Sequence, residues 1–254
     1  MIELRQLTRT FGNLMAVDHV TFTVPSGQVC GYLGPNGAGK TTTIKMLTGL
    51  IRPAGGTAVI EGFDILKEPI EVKKRIGYVP ESGALYEKLT PMEYLQLIGR
   101  LYHIEEAHLK HRIDEFLQLF QLEGKENQRM DAFSKGMKQK IVIVSALLHN
   151  PDVMFFDEPL NGLDAGSALL VKELIRKLAD QGKTIFYSSH ILEVVEKICD
   201  RVVILDHGRI VADGSIQDLR RMTAESSLED IFSQVTHSED MEEIAEAFSK
   251  LITS

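Results

Sequence analysis

The run Gln28-Val29-Cys30-Gly31-Tyr32-Leu33, followed by Gly34-Pro35-Asn36-Gly37-Ala38-Gly39-Lys40-Thr41-Thr42, decides the fold. The first part is short, apolar and bounded by glycines, the signature of a strand buried on both faces. A helix is expected from Lys40 to Leu50, ended by Pro53 and the Gly55-Gly56 pair. The loop between them fits G-x-x-x-x-G-K-[ST] in its required strand–loop–helix context. Glycines let the backbone curl until successive N–H groups point at one phosphate, where a side chain would block the approach. The helix N-terminus adds its positive end. Lys40 supplies a point charge to the β/γ-phosphates, and the Thr41 hydroxyl can ligate Mg²⁺. Residues 34–42 are therefore expected to hold a nucleoside triphosphate.

Upstream, Ile2–Leu7 and Ala16–Val24 read as strands closed by the turn Pro25-Ser26-Gly27. Downstream, short strands around Thr57–Ile60 and Arg75–Val79 frame a charged segment, Glu68 to Lys74. From Thr90 to Asn150 the spacing becomes helical, with Leu95, Ile98, Leu101 and Tyr102, then Ile113, Phe116, Leu117 and Phe120, on single faces. Strand–helix alternation returns after Pro151: Asp152–Pro159, a helix over 165–179, Thr184–His190, a helix over 192–198, and Arg201–Leu205. This order predicts one α/β parallel-sheet core with a helical insertion.

Val153-Met154-Phe155-Phe156-Asp157-Glu158-Pro159 is an apolar strand ending in two acids. A buried strand does not end in adjacent carboxylates without a use for them. Asp157 is suited to hold Mg²⁺, and Glu158, one residue on, to activate water as general base.

The chain has 254 residues, 44% of them hydrophobic and 25% charged, which suits one large globular unit and excludes a disordered or disulfide-built protein. No stretch reaches the ~18 apolar residues of a membrane span. The longest candidate, Ile141–Leu148, is too short and is interrupted by Ser145. The opening MIELRQLTRTF has no apolar signal core. Two cysteines, Cys30 and Cys199, read as reduced core thiols of a cytosolic protein. Net charge is −8, and residues 223–254 hold eight acids against one base, so the rest is nearly neutral and offers no basic footprint for nucleic acid. That acidic tail predicts two amphipathic helices, one with Leu228, Ile231, Phe232 and Val235 on a face, the other with Met241, Ile244, Ala245 and Phe248. Ser226 and Glu229 fit a capping box. The tail is either a cap on its own core or a contact to a partner.

With both motifs in place, other stretches fall into a known order, and over residues 1–222 the chain resembles the nucleotide-binding subunit of ATP-binding cassette (ABC) transporters. Phe11-Gly12 resembles the family's adenine-stacking aromatic; the residue alone would suit a core Phe. Phe133-Ser134-Lys135-Gly136-Met137 stands where the family has its LSGGQ signature; alone, Ser134 would be a helix cap. Leu160-Asn161-Gly162-Leu163-Asp164 matches the D-loop, and Ser188-Ser189-His190 the switch histidine. Two motifs depart from the pattern. Gly77-Tyr78-Val79-Pro80-Glu81 puts Glu where the Q-loop carries Gln, and Glu81 can still ligate Mg²⁺ while adding charge beside a triphosphate. Lys135 and Met137 replace a Gly and the Gln of the signature. Lys135 is either a cation near the partner's nucleotide or a solvated side chain. The V-P-E and S-K-G-M-K-Q stretches together resemble the ABC-2 type, mostly exporters of drugs, antibiotics or lipids.

The resemblance implies a P-loop NTPase fold: a RecA-like core, an antiparallel β-subdomain and a helical insertion at about 84–150, with the tail at 223–254. It implies ATP and Mg²⁺ as cofactors and hydrolysis of ATP to ADP and phosphate. Lys40, Glu158 and His190 would be catalytic, Phe11 and residues 34–42 would bind ATP, and Thr41, Asp157 and Glu81 would hold the metal. Ser134, Lys135, Gly136, Met137 and Asp164 would serve the nucleotide of a second subunit, a copy or homologue, in a head-to-tail dimer. A separate integral-membrane permease is then needed, docked where the Glu81–Tyr86 loop meets the helical block, with the chain peripheral on the inner, cytoplasmic face. The alternatives are a soluble ABC ATPase acting on ribosome or DNA, and a nucleotide-gated module with little turnover.

Overall fold

A computed structural model describes residues 1–82, 85–223 and 227–236. The chain runs β1 (Ile2–Phe11), β2 (Leu14–Val24), β3 (Val29–Leu33), α1 (Lys40–Leu47), β4 (Gly55–Ile60), β5 (Phe63–Asp64), α2 (Pro69–Arg75) and β6 (Ile76–Val79). Next come α3 (Pro91–Leu101), α4 (Glu106–Leu119), a 3-10 turn at Met130–Ala132 and α5 (Lys135–Leu147). The last part alternates again: β7 (Val153–Asp157), α6 (Ala165–Asp180), β8 (Thr184–Ser188), α7 (Leu192–Ile198), β9 (Arg201–Asp206), β10 (Arg209–Gly214), α8 (Ile216–Thr223) and α9 (Leu228–Thr236).

The strands form two sheets. One is antiparallel, in the order β2-β1-β4-β5; the other has six strands in the order β10-β9-β3-β8-β7-β6. From β9 to β6 its pairings are all parallel, and only β10 joins antiparallel, at an edge. Alternation along each central strand explains why no polar residue interrupts it. Cys30, Tyr32, Val153, Phe155 and Phe186 enter a core shared with β1, β2, β4 and α1. Val29, Leu33, Met154, Phe156, Ile185 and Tyr187 point the other way, into a core shared with α3 to α7. Each fully buried Val, Leu, Ile, Phe or Met among them contributes about 1.5–3 kcal/mol of transfer free energy. The thiols of Cys30 and Cys199 are buried and form no disulfide, and burial pushes both above the ordinary thiol range, that of Cys30 up to about 12.

The helical stretch starts where Thr90 makes a capping box with Glu93 and Pro91 takes the first helical position. Leu95, Leu109, Ile113, Leu117 and Ile141 then bury the apolar faces of α3, α4 and α5 in the second core.

The structure departs from the sequence reading at one helix end and in four elements the sequence did not disclose, α2, β5, β10 and α8. Helix α1 stops at Leu47, because Gly49 takes φ +71° and the N–H groups of Leu50 and Ile51 both turn back to the Lys45 carbonyl. The charged segment Glu68–Lys74, to which no element was assigned, holds most of α2, which buries one residue, Val72. Strands β5 and β10 and helix α8 had no expected counterpart. In the tail, Leu228 and Ile231 are buried, and Phe232 and Val235 pack against the second core, so this face of α9 is covered by its own chain. Ser226 and the second stripe through Phe248 lie outside the described residues. Within them, Ser227 makes the cap: its Oγ accepts from Asp230 N at 3.1 Å and donates to the Asp230 carboxylate at 2.5 Å.

Candidate active site

The parallel register brings the ends of β3, β7 and β8 to one edge of the sheet, where such folds place their ligands. A cavity of about 640 Å³ opens there, lined by Asn36, Gly37, Gly39, Lys40, Thr41 and Thr42 from the phosphate loop. Asp157, Glu158, Ser188, His190 and Glu81 form its other wall, and Phe11, Leu14 and Ala16 its far end. Gly34, Pro35 and Ala38 build the loop without lining the cavity. Ala38 is buried and donates its N–H to the Pro35 carbonyl, closing the turn.

Gly39 shows why the loop needs its glycine. It sits at φ +109°, and a Cβ there would lie 2.2 Å from the Ala16 carbonyl oxygen. This residue caps α1 with no side-chain hydrogen bond, so the first amides of the helix stay open toward the cavity. Lys40 Nζ folds over the loop, donating to Gly34 O at 2.6 Å and Pro35 O at 3.1 Å. Burial lowers its pKa, and the carboxylates of Glu158, Asp157 and Glu81 oppose that shift.

Asp157 is 2% exposed and accepts from Ser188 Oγ at 3.0 Å, directly across the β7–β8 register. Burial raises its pKa, while hydrogen bonds from Ser188 and Thr41 oppose the rise. The Thr41 hydroxyl and the Asp157 carboxylate therefore meet, and hard oxygen donors of this kind suit Mg²⁺. No group of three or more His, Cys, Asp or Glu side chains among the described residues makes a ready metal cage.

Glu158 adopts φ +51°, a left-handed conformation unusual for a side-chain-bearing residue and typical of strained functional positions. Its N–H bonds Ser188 O at 3.0 Å. One carboxylate oxygen lies 2.9 Å from His190 Nδ1, and the other accepts from Ser189 Oγ at 3.4 Å. His190 is 62% exposed at the cavity mouth, so it is not a satisfied core histidine.

The signature residues lie elsewhere: Ser134, Lys135, Gly136 and Met137 do not line this cavity. Ser134 Oγ accepts from Met137 N at 3.2 Å as the cap of α5, which leaves the hydroxyl proton to donate. The start of α5 abuts the turn after Glu158. A Cβ on Gly136 would lie 2.6 Å from Gly162 O, Gln139 Nε2 donates to Pro159 O at 3.1 Å, and Lys140 Nζ is 3.7 Å from Asp164. Asp164 caps α6, accepting from Ser167 N and Oγ at 2.9 and 2.6 Å. The Lys135 stem runs beside Gly162, and Lys135 also lines a second cavity of about 420 Å³ with Glu81, Ser82, Lys138, Gln139 and Val142.

Sequence reading missed Ser188 as the partner of Asp157, Ser189 as the partner of Glu158, and Leu14 and Ala16 beside Phe11. The serines had been read only as markers of position. Leu14 and Ala16 carry no signal beyond following Phe11 in a hairpin.

The family model for the ABC transporter matches residues 17–161. The ABC transporter ATP-binding protein NatA of Bacillus subtilis is 40% identical over 238 residues, 91% of this chain and 96% of its own length. The linearmycin resistance ATP-binding protein LnrL of the same organism is 37% identical over 86% of this chain and 70% of its own. A solved ATP-binding subunit of an ABC transporter superposes with a TM-score of 0.88 at 36% identity, covering 93% of this chain and 99% of that one. These relatives agree with the transporter reading of the sequence and not with the ribosome- or DNA-acting alternative. By sequence and by fold, the chain belongs to the ABC transporter family, as one of its ATP-binding subunits.

Proposed function

We propose that this chain hydrolyses ATP to ADP and phosphate and drives export-type transport through a separate membrane permease. The observation that carries the proposal is Glu158 on the wall of the phosphate-loop cavity, its carboxylate 2.9 Å from His190 Nδ1.

In the proposed reaction, the open amides of α1 and Lys40 hold the β/γ-phosphates, and Lys40 exchanges its bonds to Gly34 O and Pro35 O for phosphate oxygens. Thr41 and Asp157 would hold Mg²⁺, with Glu81 within electrostatic reach of Asp157. When bound, the ion neutralises charge on the phosphates. Glu158 takes a proton from water as the water oxygen attacks the γ-phosphorus and the bond to the ADP oxygen breaks. His190 orients that carboxylate and can donate to the transferred phosphoryl group. Phe11 stacks on the base.

Because the signature residues are outside this cavity, the active form we propose is a head-to-tail dimer. Ser134 and Gly136 of one subunit then meet the nucleotide of the other, with Lys135, Met137 and Asp164 beside them. Among the described residues no helix is long and apolar enough to cross a membrane. The permease we propose is a separate chain, and its proposed seat is the second cavity, where Glu81 and Ser82 face Lys135, Lys138 and Gln139 of α5, with the exposed Tyr86 near by in sequence. The chain would sit peripherally on the cytoplasmic face.

Glu158→Gln tests the reaction. The amide keeps the phosphate contacts but cannot take a proton, so ATP binding persists while steady-state turnover falls about 10²- to 10⁴-fold. Because hydrolysis separates the dimer, the variant accumulates as an ATP-bound dimer. Phosphate release at near wild-type rate would overturn the assignment.

A further inference from the structure

We propose that Arg9 is a positioning residue for the nucleobase, holding Phe11 from behind so that the ring's other face takes the adenine. The inference rests on the reading of Phe11 as the base platform and adds what fixes that platform.

Phe11 ends β1 at the open tip of the β1–β2 hairpin and is 46% exposed. An aromatic ring left in water at a strand end has rotamer freedom to lose before it can stack on anything. Arg9 lies two residues earlier, on the same side of the strand, and its guanidinium carbon sits 4.6 Å from the Phe11 ring centroid. Phe11 lines the nucleotide cavity and Arg9 does not. The guanidinium thus approaches the ring from outside the cavity lining, which leaves the ring's other face for a base.

Arg9 is itself held. Its Nη1 donates to Arg52 O at 2.9 Å, and its Nε is buried without a protein partner. Arg52 follows α1, the helix that begins at the phosphate loop. The adjoining backbone is tied in the same way, since Ala54 N donates to Thr8 O at 2.8 Å. One side chain thus references the base platform to the far end of the phosphate-loop helix, fixing the two ends of a bound nucleotide against each other.

A cation on one face of a ring draws π-electron density toward itself and leaves the opposite face less negative. That favours stacking with an electron-rich purine over a pyrimidine. The preorganised ring also spares the ordering cost at binding. Both effects belong to the base and not to the phosphates.

The experiment compares Arg9→Met, Arg9→Lys, Phe11→Ala and Arg9→Met/Phe11→Ala in the full chain. ATP, CTP and tripolyphosphate binding are measured by calorimetry, with KM and kcat for ATP. Arg9→Met should bind ATP about three- to fivefold more weakly, with tripolyphosphate affinity kept and the ATP-to-CTP preference narrowed. The loss should appear in KM and not in kcat. Arg9→Lys, which keeps charge without the flat face, should fall between, and it serves if Arg9→Met does not fold. The double variant should be no weaker than Phe11→Ala. If Phe11→Ala leaves ATP affinity intact, the base platform itself is wrong. If Phe11→Ala weakens ATP and neither Arg9 variant does, the platform stands and the role of Arg9 is refuted. Equal loss of tripolyphosphate affinity in the Arg9 variants would also refute it, because Arg9 would then act through the phosphate loop.

Discussion

Helices α1 and α5 both begin at a glycine- or serine-bearing turn, yet their N-termini are finished differently. Gly39 caps α1 with no side chain, so the amides there await an outside acceptor. Ser134 caps α5 with its own oxygen, engaging the Met137 amide and keeping only a hydroxyl proton to offer. The first end lies in a cavity with a lysine and two buried carboxylates; the second is exposed and shares no cavity with them. The difference separates two tasks. An uncapped helix end inside a charged cavity can bind an anion alone, whereas a capped end on the surface can add one hydrogen bond to an anion already held elsewhere.

The contrast breaks first at Lys40. Lys40→Ala should lose nucleotide affinity by tenfold or more, on the order of 1.4 kcal/mol, and turnover with it, because in the proposed reaction the ammonium serves binding and transition state alike. Calorimetric titration with ATP measures this, and unchanged affinity would mean that the α1 end is not the primary anion site.

Ser134→Arg probes the other end. The isolated monomer should bind ATP within about twofold of wild type, since Ser134 is outside its cavity. In the Glu158→Gln background, ATP should no longer produce the proposed dimer, in which the bulky cation would occupy the space the partner's phosphate enters. Equal dimer in sedimentation with and without the substitution would remove the distinction between the two ends.

The smallest effect lies at another side-chain-capped end, that of α6. Bonds from Ser167, side chain first and then backbone, hold the Asp164 carboxyl well below the usual range, to about 2. A depressed carboxyl contributes stability above its unfolded pKa and loses it as pH falls through the folded value. The α6 cap should therefore persist through pH 4 and fade toward pH 2. A carboxyl carbon titration by NMR checks it, and a midpoint at the ordinary aspartate value would show the cap to be unformed.

What the sequence disclosed follows from locality. The phosphate loop and Asp157-Glu158 were legible because each is contiguous and sits where a buried strand stops. Ser188 was not, because its bond to Asp157 exists only once β7 and β8 lie in register, 31 residues apart in the chain. Arg9 was hidden for a similar reason, its anchor being the carbonyl of Arg52 in another loop. Helices α2 and α8 escaped because each buries one side chain, Val72 or Leu219, and one apolar contact makes no periodicity. Strand β10 is half exposed along its length and joins the sheet only at its edge.

The contact between Gly136 and Gly162 has a mechanical consequence. Two backbones packed without room for a methyl group form a joint with no play. Gln139 bolts the same joint to Pro159, the residue that follows Glu158. A shift of α5 at its leading end therefore presses first on residues 159–164, the backbone that follows the Glu158 carboxylate.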